Sequence, residues 1–150
     1  MELLKIIFFS FILLLAGNFK TAAAAFDYDL SLLNDDLRFS KEILISGDNV
    51  RIYARVRNVG NNDITGYVSF LRGAELIGNS QPVSVLPKTG DDVFIDFTVP
   101  ENSFNIQAKI QGTDPSDQNP SNIATQSQLI MPDHDTDGDG TVDRLDEDDD

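Results

Sequence analysis

The sequence predicts an all-β fold followed by an irregular acidic tail, and three observations carry that prediction. Apolar residues between Phe26 and Pro132 recur mostly with period two, the spacing that puts alternate side chains on one face of a strand. Clusters of Gly, Pro, Asn and Asp separate these alternating runs. No segment carries an apolar stripe at helical spacing.

In chain order, Met1 to Ala25 read first as a signal peptide. Lys5 lies in a short charged start, Ile6 to Gly17 form an apolar run, and Ala23 and Ala25 supply small side chains for cleavage. The 12 apolar residues would rise only about 18 Å as a helix at ~1.5 Å each, short of a ~30 Å hydrocarbon layer. Cleavage near Ala25 would leave a mature chain starting at Phe26, without a transmembrane anchor and outside the cytoplasm. The placement is secreted or cell envelope. The only Asn-x-Ser/Thr triplet, Asn119-Pro120-Ser121, is blocked by its proline, which leans toward a bacterial source.

Strands follow. The clearest is Val50 to Arg57, where Val50, Ile52, Ala54 and Val56 point inward and Arg51, Tyr53, Arg55 and Arg57 outward. Asp92 to Val99 turns Val93, Ile95, Phe97 and Val99 inward, and Phe104 to Ile110 alternates Phe104, Ile106, Ala108 and Ile110 with polar residues. Weaker alternation predicts strands at Tyr28–Leu33, Thr65–Leu71, Glu75–Gly78, Val83–Leu86 and Ile123–Ile130. Turns fall at Ser46-Gly47-Asp48-Asn49, Gly60-Asn61-Asn62-Asp63, Pro87-Lys88-Thr89-Gly90 and Pro100-Glu101-Asn102. Seven or eight short strands in roughly 100 residues point to an immunoglobulin-like antiparallel β-sandwich, with a jelly roll or small barrel as alternatives. With no cysteine and no tryptophan the core holds by packing alone.

The order of these turns resembles a CARDB-type domain, an immunoglobulin-like module of bacterial surface and secreted proteins. Gly47-Asp48-Asn49-Val50 opens a strand that ends Val56-Arg57-Asn58-Val59-Gly60. Pro87-Lys88-Thr89-Gly90, the strand to Val99-Pro100, and Gln111-Gly112-Thr113-Asp114-Pro115 followed by Asn119 and Asn122 fit the same pattern. The resemblance spans Tyr28 to Ile130 and implies a non-catalytic adhesion or spacer module.

Charge divides the chain at Met131-Pro132. The formal net charge is −14, with 25 acidic and 11 basic residues. Residues 26–132 hold 14 acidic and 8 basic residues, and residues 133–150 hold 10 acidic residues against Arg144 alone. The acidity argues against a nucleic-acid partner, since a phosphate backbone needs clustered Lys and Arg. The absence of cysteine removes disulfides, thiol nucleophiles and thiolate metal sites.

The 133–150 segment carries the most specific pattern, Asp135-Thr136-Asp137-Gly138-Asp139-Gly140-Thr141-Val142-Asp143-Arg144-Leu145-Asp146. Alternate carboxylates in a tight loop converge on one point, and glycine at the sixth position permits the sharp turn, a spacing that suits calcium (Ca2+). On that template Asp135, Asp137 and Asp139 give side-chain oxygens and Thr141 its backbone carbonyl. Asp143 binds directly or through water, and Asp146 closes the loop. Asp133 adds a ligand in a register beginning two residues earlier, and Asp146, Asp148 and Asp150 begin another Asp-x-Asp-x-Asp series. No flanking helices are predicted, and the string resembles a thrombospondin type 3 repeat, which implies calcium bound with little regular structure. The bland alternative is a solubilising acidic run.

Other candidates are weaker. His134, the only histidine, reads as a solvated spacer, because calcium prefers oxygen. Asp35-Asp36 and Asp91-Asp92 read as turn residues rather than acid/base pairs. The Arg51, Tyr53, Arg55 and Arg57 face reads as solvated and paired to Asp or Glu, with an anionic or glycan ligand as the alternative. Phe94 and Leu71 occupy outward positions. The expectation is an exported, non-enzymatic interaction module with a calcium-stabilised tail, whose partner is an extracellular or cell-surface protein or glycan. An accessory carbohydrate-binding module of an extracellular hydrolase system is the alternative.

Overall fold

A computed structural model describes residues 25–147. Residues 1–24 of the expected signal peptide, and Asp148, lie outside the described residues. Eight strands form two antiparallel sheets: β1 (Leu30–Ser31), β2 (Leu37–Phe39), β3 (Asn49–Asn58), β4 (Ile64–Arg72), β5 (Glu75–Val85), β6 (Gly90–Thr98), β7 (Ile106–Asp114) and β8 (Ala124–Gln126). In the first sheet β3 is central, with β6 on one side and β1 and β2 successively on the other. The second runs β5-β4-β7-β8. The sheets pack as an immunoglobulin-like sandwich, as the alternation predicts.

Alternation builds the core. Val50, Ile52, Ala54 and Val56 of β3 are all buried, and they join Val93 and Phe97 of β6 and Val68, Phe70, Ile106, Ala108 and Ile110 from the second sheet. In β4 the pattern breaks, and Val68, Ser69 and Phe70 are buried in succession. β4 keeps regular register with β7 through these three residues, and the shift lies against β5, where Gly78, Asn79 and Ser80 stand opposite Ser69 alone. Ser69 Oγ is satisfied there by Ser80 Oγ at 2.8 Å.

Three expectations change. Glu75–Gly78 and Val83–Leu86 are not two strands but the ends of one, β5, whose polar middle is largely exposed and therefore lacks an apolar rhythm. β2 was not expected, because three residues are too few to show a period. The third predicted strand starts at Ile106 rather than Phe104; Phe104 makes an isolated bridge with Ile130. The Asp pairs also separate. Asp35 and Asp36 lie in a 3-10 turn (Asn34–Asp36), as read, but Asp91 and Asp92 belong to β6, where they face Val56 and Arg55.

Two polar anchors fix the ends of strands. Buried Asn58 donates from Nδ2 to Asn62 O and Val85 O at 2.8 Å each, and its Oδ1 accepts from Gly60 N at 2.9 Å. Buried Asp29 accepts from Asn119 Nδ2 at 3.2 Å and Asn122 Nδ2 at 2.8 Å, and Asp117 accepts from Leu30 N at 2.7 Å. These bonds tie the N-terminal strand to the loop before β8. Burial pushes the Asp117 carboxyl above its ordinary value, with the amides of Asn119 and Leu30 opposing.

Candidate metal centre

The acidic segment is joined to the sandwich by backbone pairing. Asp133 N donates to Leu44 O at 2.8 Å and Ser46 N donates to Asp133 O at 2.9 Å, a parallel bridge at the turn into β3. Beyond it the chain closes on itself. Arg144 grips Asp133 through Nε at 2.7 Å and Nη2 at 3.1 Å, and Asp143 N donates to His134 O at 2.9 Å. Asp143 accepts from Thr136 N at 2.7 Å and Thr136 Oγ1 at 2.8 Å. Val142, 4% exposed, supplies the buried apolar side chain of this segment.

Inside the closed segment the carboxylates organise the turns. Asp135 accepts from Gly138 N at 2.8 Å and Gly140 N at 3.0 Å, Asp137 from Asp139 N at 3.0 Å, and Asp139 from Thr141 N at 2.7 Å. Gly138 and Gly140 have φ of +77° and +99°, which only residues without a Cβ adopt readily. Aspartates at every second position therefore point to the same side, and one oxygen each from Asp135, Asp137 and Asp139 lies within 4.8 Å of the others. Two oxygens on opposite sides of a calcium ion at about 2.4 Å are themselves about 4.8 Å apart, so the three fit around a single cation. A carboxylate offers about four lone-pair positions. The amide bonds just described leave acceptor capacity on all three.

The other expected ligands are placed differently. Asp133 is engaged by Arg144 and Asp143 by Thr136, and neither joins the converging group. Asp146 follows the 3-10 turn Asp143–Leu145, its amide donating to Asp143 O at 3.4 Å. Thr141 is exposed, and its amide closes the turn on Asp139. Hydrogen bonding with Arg144 holds the Asp133 carboxyl below its usual range, and the Thr136 side chain does the same for Asp143. Sequence reasoning assigned no role to Arg144. Its position as the sole cation in the acidic run was the available signal.

The outer face of the first sheet holds the aromatic candidates. Register pairs Arg51 with Asp96, Tyr53 with Phe94 and Arg55 with Asp92. Ion pairs follow at 3.0 Å for Arg51–Asp96, 3.3 Å for Arg55–Asp92 and 2.9 Å for Arg38–Asp92, as the solvated reading expects. Arg38 lies 4.4 Å from the Tyr53 ring centre and Arg51 4.5 Å from that of Phe94, while the two rings are 5.9 Å apart. Each ring thus has a guanidinium on one face and the other ring beside it.

The fold is shared with solved structures. A crystal structure of the CARDB domain of a Pyrococcus furiosus protein, in complex with di-metal ions, aligns with a TM-score of 0.59 at 16% identity, covering 76% of this chain and 97% of that one. A solution NMR structure of that domain gives a TM-score of 0.53 at 15% identity over 72% and 97% of the two chains. No family model matches the chain, and no curated protein matches its sequence. No helix among the described residues is long and apolar enough to cross a membrane.

Proposed function

We propose that the chain is an exported, non-catalytic interaction module whose Asp-rich segment binds calcium and thereby stiffens one end of a CARDB-like sandwich. The observation that carries this reading is the convergence of Asp135, Asp137 and Asp139 in a loop whose two glycines adopt the left-handed backbone. Those three carboxylates would hold the ion, with Thr141, Asp143, Asp146, Asp133 and Asp148 completing the shell by rearrangement on binding. The ion would neutralise the clustered charge; no reaction is routed through it. The metal-bound Pyrococcus furiosus CARDB domain supports the reading as a relative in fold. A thrombospondin type 3-like wrapping is the arrangement the spacing favours. The partner would be an extracellular or cell-surface protein or glycan. The carbohydrate-binding alternative gains less support, because the Tyr53 and Phe94 ring faces already lie against Arg38, Arg51 and each other.

Calorimetry on the mature chain from Phe26 tests the metal. Calcium should bind with a dissociation constant of about 10⁻⁴–10⁻³ M, as in other extracellular sites. Magnesium, which demands octahedral geometry at about 2.0–2.1 Å, should bind more weakly. The double substitution Asp135→Asn and Asp139→Asn should abolish the calcium heat. No heat from millimolar calcium in the native chain would sink the proposal.

A further inference from the structure

The ladder of opposite charges on the outer face of the first sheet stops one rung early. β3 presents Arg51, Tyr53, Arg55 and Arg57 in sequence, and β6 answers with Asp96, Phe94, Asp92 and then Gly90. At the last rung Arg57 has no acid opposite and turns instead to Asp36, which accepts from its Nε at 3.0 Å and its Nη2 at 2.6 Å. The residue facing Arg57, Gly90, carries no side chain. A Cβ on Gly90 would come within 3.3 Å of Arg55 Nε and 3.1 Å of Val56 O, so the bare glycine lets the Arg55 guanidinium lie along the strand end.

The preceding turn brings a third cation to the same place. Lys88 has φ of +59°, and it is the one non-glycine residue with positive φ among the described residues. An L side chain in that conformation costs on the order of 1 kcal/mol that glycine avoids. Its Nζ donates to Val59 O at 2.6 Å, which leaves two ammonium protons directed elsewhere. Arg55, Arg57 and Lys88 line one open cleft of about 520 Å³, together with Asn58, Thr89 and Gly90, and no carboxylate lines it. Asp36 pairs with the Arg57 guanidinium and Asp92 with that of Arg55. Arg57 keeps Nη1 free of those bonds, and Arg55 has only the 3.3 Å contact from Nη1 to Asp92.

The geometry points to an oxyanion site in this cleft, where Arg55, Arg57 and Lys88 together bind a phosphate or sulfate group. Guanidinium and ammonium groups make charge-assisted hydrogen bonds to phosphate and sulfate oxygens, and three of them line this one cleft. The chain's acidity does not prevent it. The acidic segment pairs with the turn that enters β3, whereas the cleft lies where β3 ends. Ten strand residues place these ends about 30 Å apart, several times the screening length of about 8 Å at physiological ionic strength.

NMR titration of the whole mature chain tests the proposal, with inorganic phosphate and inorganic sulfate replacing chloride at constant ionic strength. The Lys88, Thr89 and Gly90 amides and the Arg55 and Arg57 Nε–H signals should move and saturate. Lys88→Gly removes the amine while relaxing the backbone, so it should stay folded and bind about tenfold more weakly. Arg51→Ala, at the far end of the ladder, should bind like the native chain. A parallel titration with a sulfated polysaccharide distinguishes the source: saturation by polymer alone assigns the site to a polymer-borne group, and saturation by the inorganic ions assigns it to free anions. Absence of saturable shifts with all three probes, or shifts unchanged in Lys88→Gly, would overturn the assignment.

Discussion

Asp36 in the sandwich and Asp135 in the acidic segment are both turn aspartates, and they are satisfied in opposite ways. Asp36 is 2% exposed, and its oxygens are taken by the Arg57 guanidinium and the Leu33 amide. Asp135 is half-buried, receives only the Gly138 and Gly140 amides, and stands beside two further carboxylates. The first arrangement is closed, because a buried carboxylate must find its counter-charge within the fold. The second is open, because backbone dipoles hold the carboxylates in place without cancelling their charge. A region built around apolar packing uses its acids to seal; one with a single buried side chain, Val142, leaves three of them converging and without a counter-charge.

The sharpest way to separate the two regions is to remove packing from one. Phe70 is fully buried among residues of both sheets. Phe70→Ala should cost about 3–5 kcal/mol, a large share of the ~5–15 kcal/mol that keeps a domain folded. Chemical denaturation should show the unfolding free energy falling by that amount, read as a lower midpoint at unchanged slope. Survival of native stability would mean that the sandwich does not rest on its core.

A smaller loss should follow from the Asn58 anchor. Asn58→Ala leaves Val85 O and Gly60 N without their side-chain partner in a buried corner, at a cost of about 1–3 kcal/mol. Asn58→Asp tests whether geometry or donor chemistry matters, since it keeps the acceptor for Gly60 and loses the donor to Val85. If both variants unfold at the native midpoint, the corner contributes nothing.

What the chain disclosed in advance follows the same division. β3 was legible because alternate residues are buried without exception from Val50 to Val56 while the residues between them reach solvent, so that Val50 to Arg57 states its own geometry. β5 was not, since from Leu76 to Pro82 no residue is buried and local patterning has nothing to report. The converging aspartates were legible because their geometry is local, two residues apart at each step. The Arg144–Asp133 clasp spans eleven residues, and the Arg55, Arg57 and Lys88 cleft joins the end of one strand to a turn thirty residues later. Neither is written in any short window of sequence.

Acid should divide the regions by the sign rather than the size of its effect. Asp133 and Asp143 titrate below the usual aspartate value because Arg144 and Thr136 favour their charged forms. Below about 3.9, the unfolded-state value, the released segment binds more protons than the closed one, so closure weakens as pH falls through their lowered range. Asp117 behaves in the opposite sense. Burial raises its pKa, so between its raised value and about 3.9 the folded sandwich binds more protons than the unfolded chain, and this group adds stability as pH falls. Acidification should therefore open the 133–147 segment while the sandwich is still folded. NMR amide signals for Thr136 and Asp143 should lose their closed-state shifts at a higher pH than those of Ile52 and Ile110, and simultaneous loss of all four would show that the segment and the sandwich unfold as one unit.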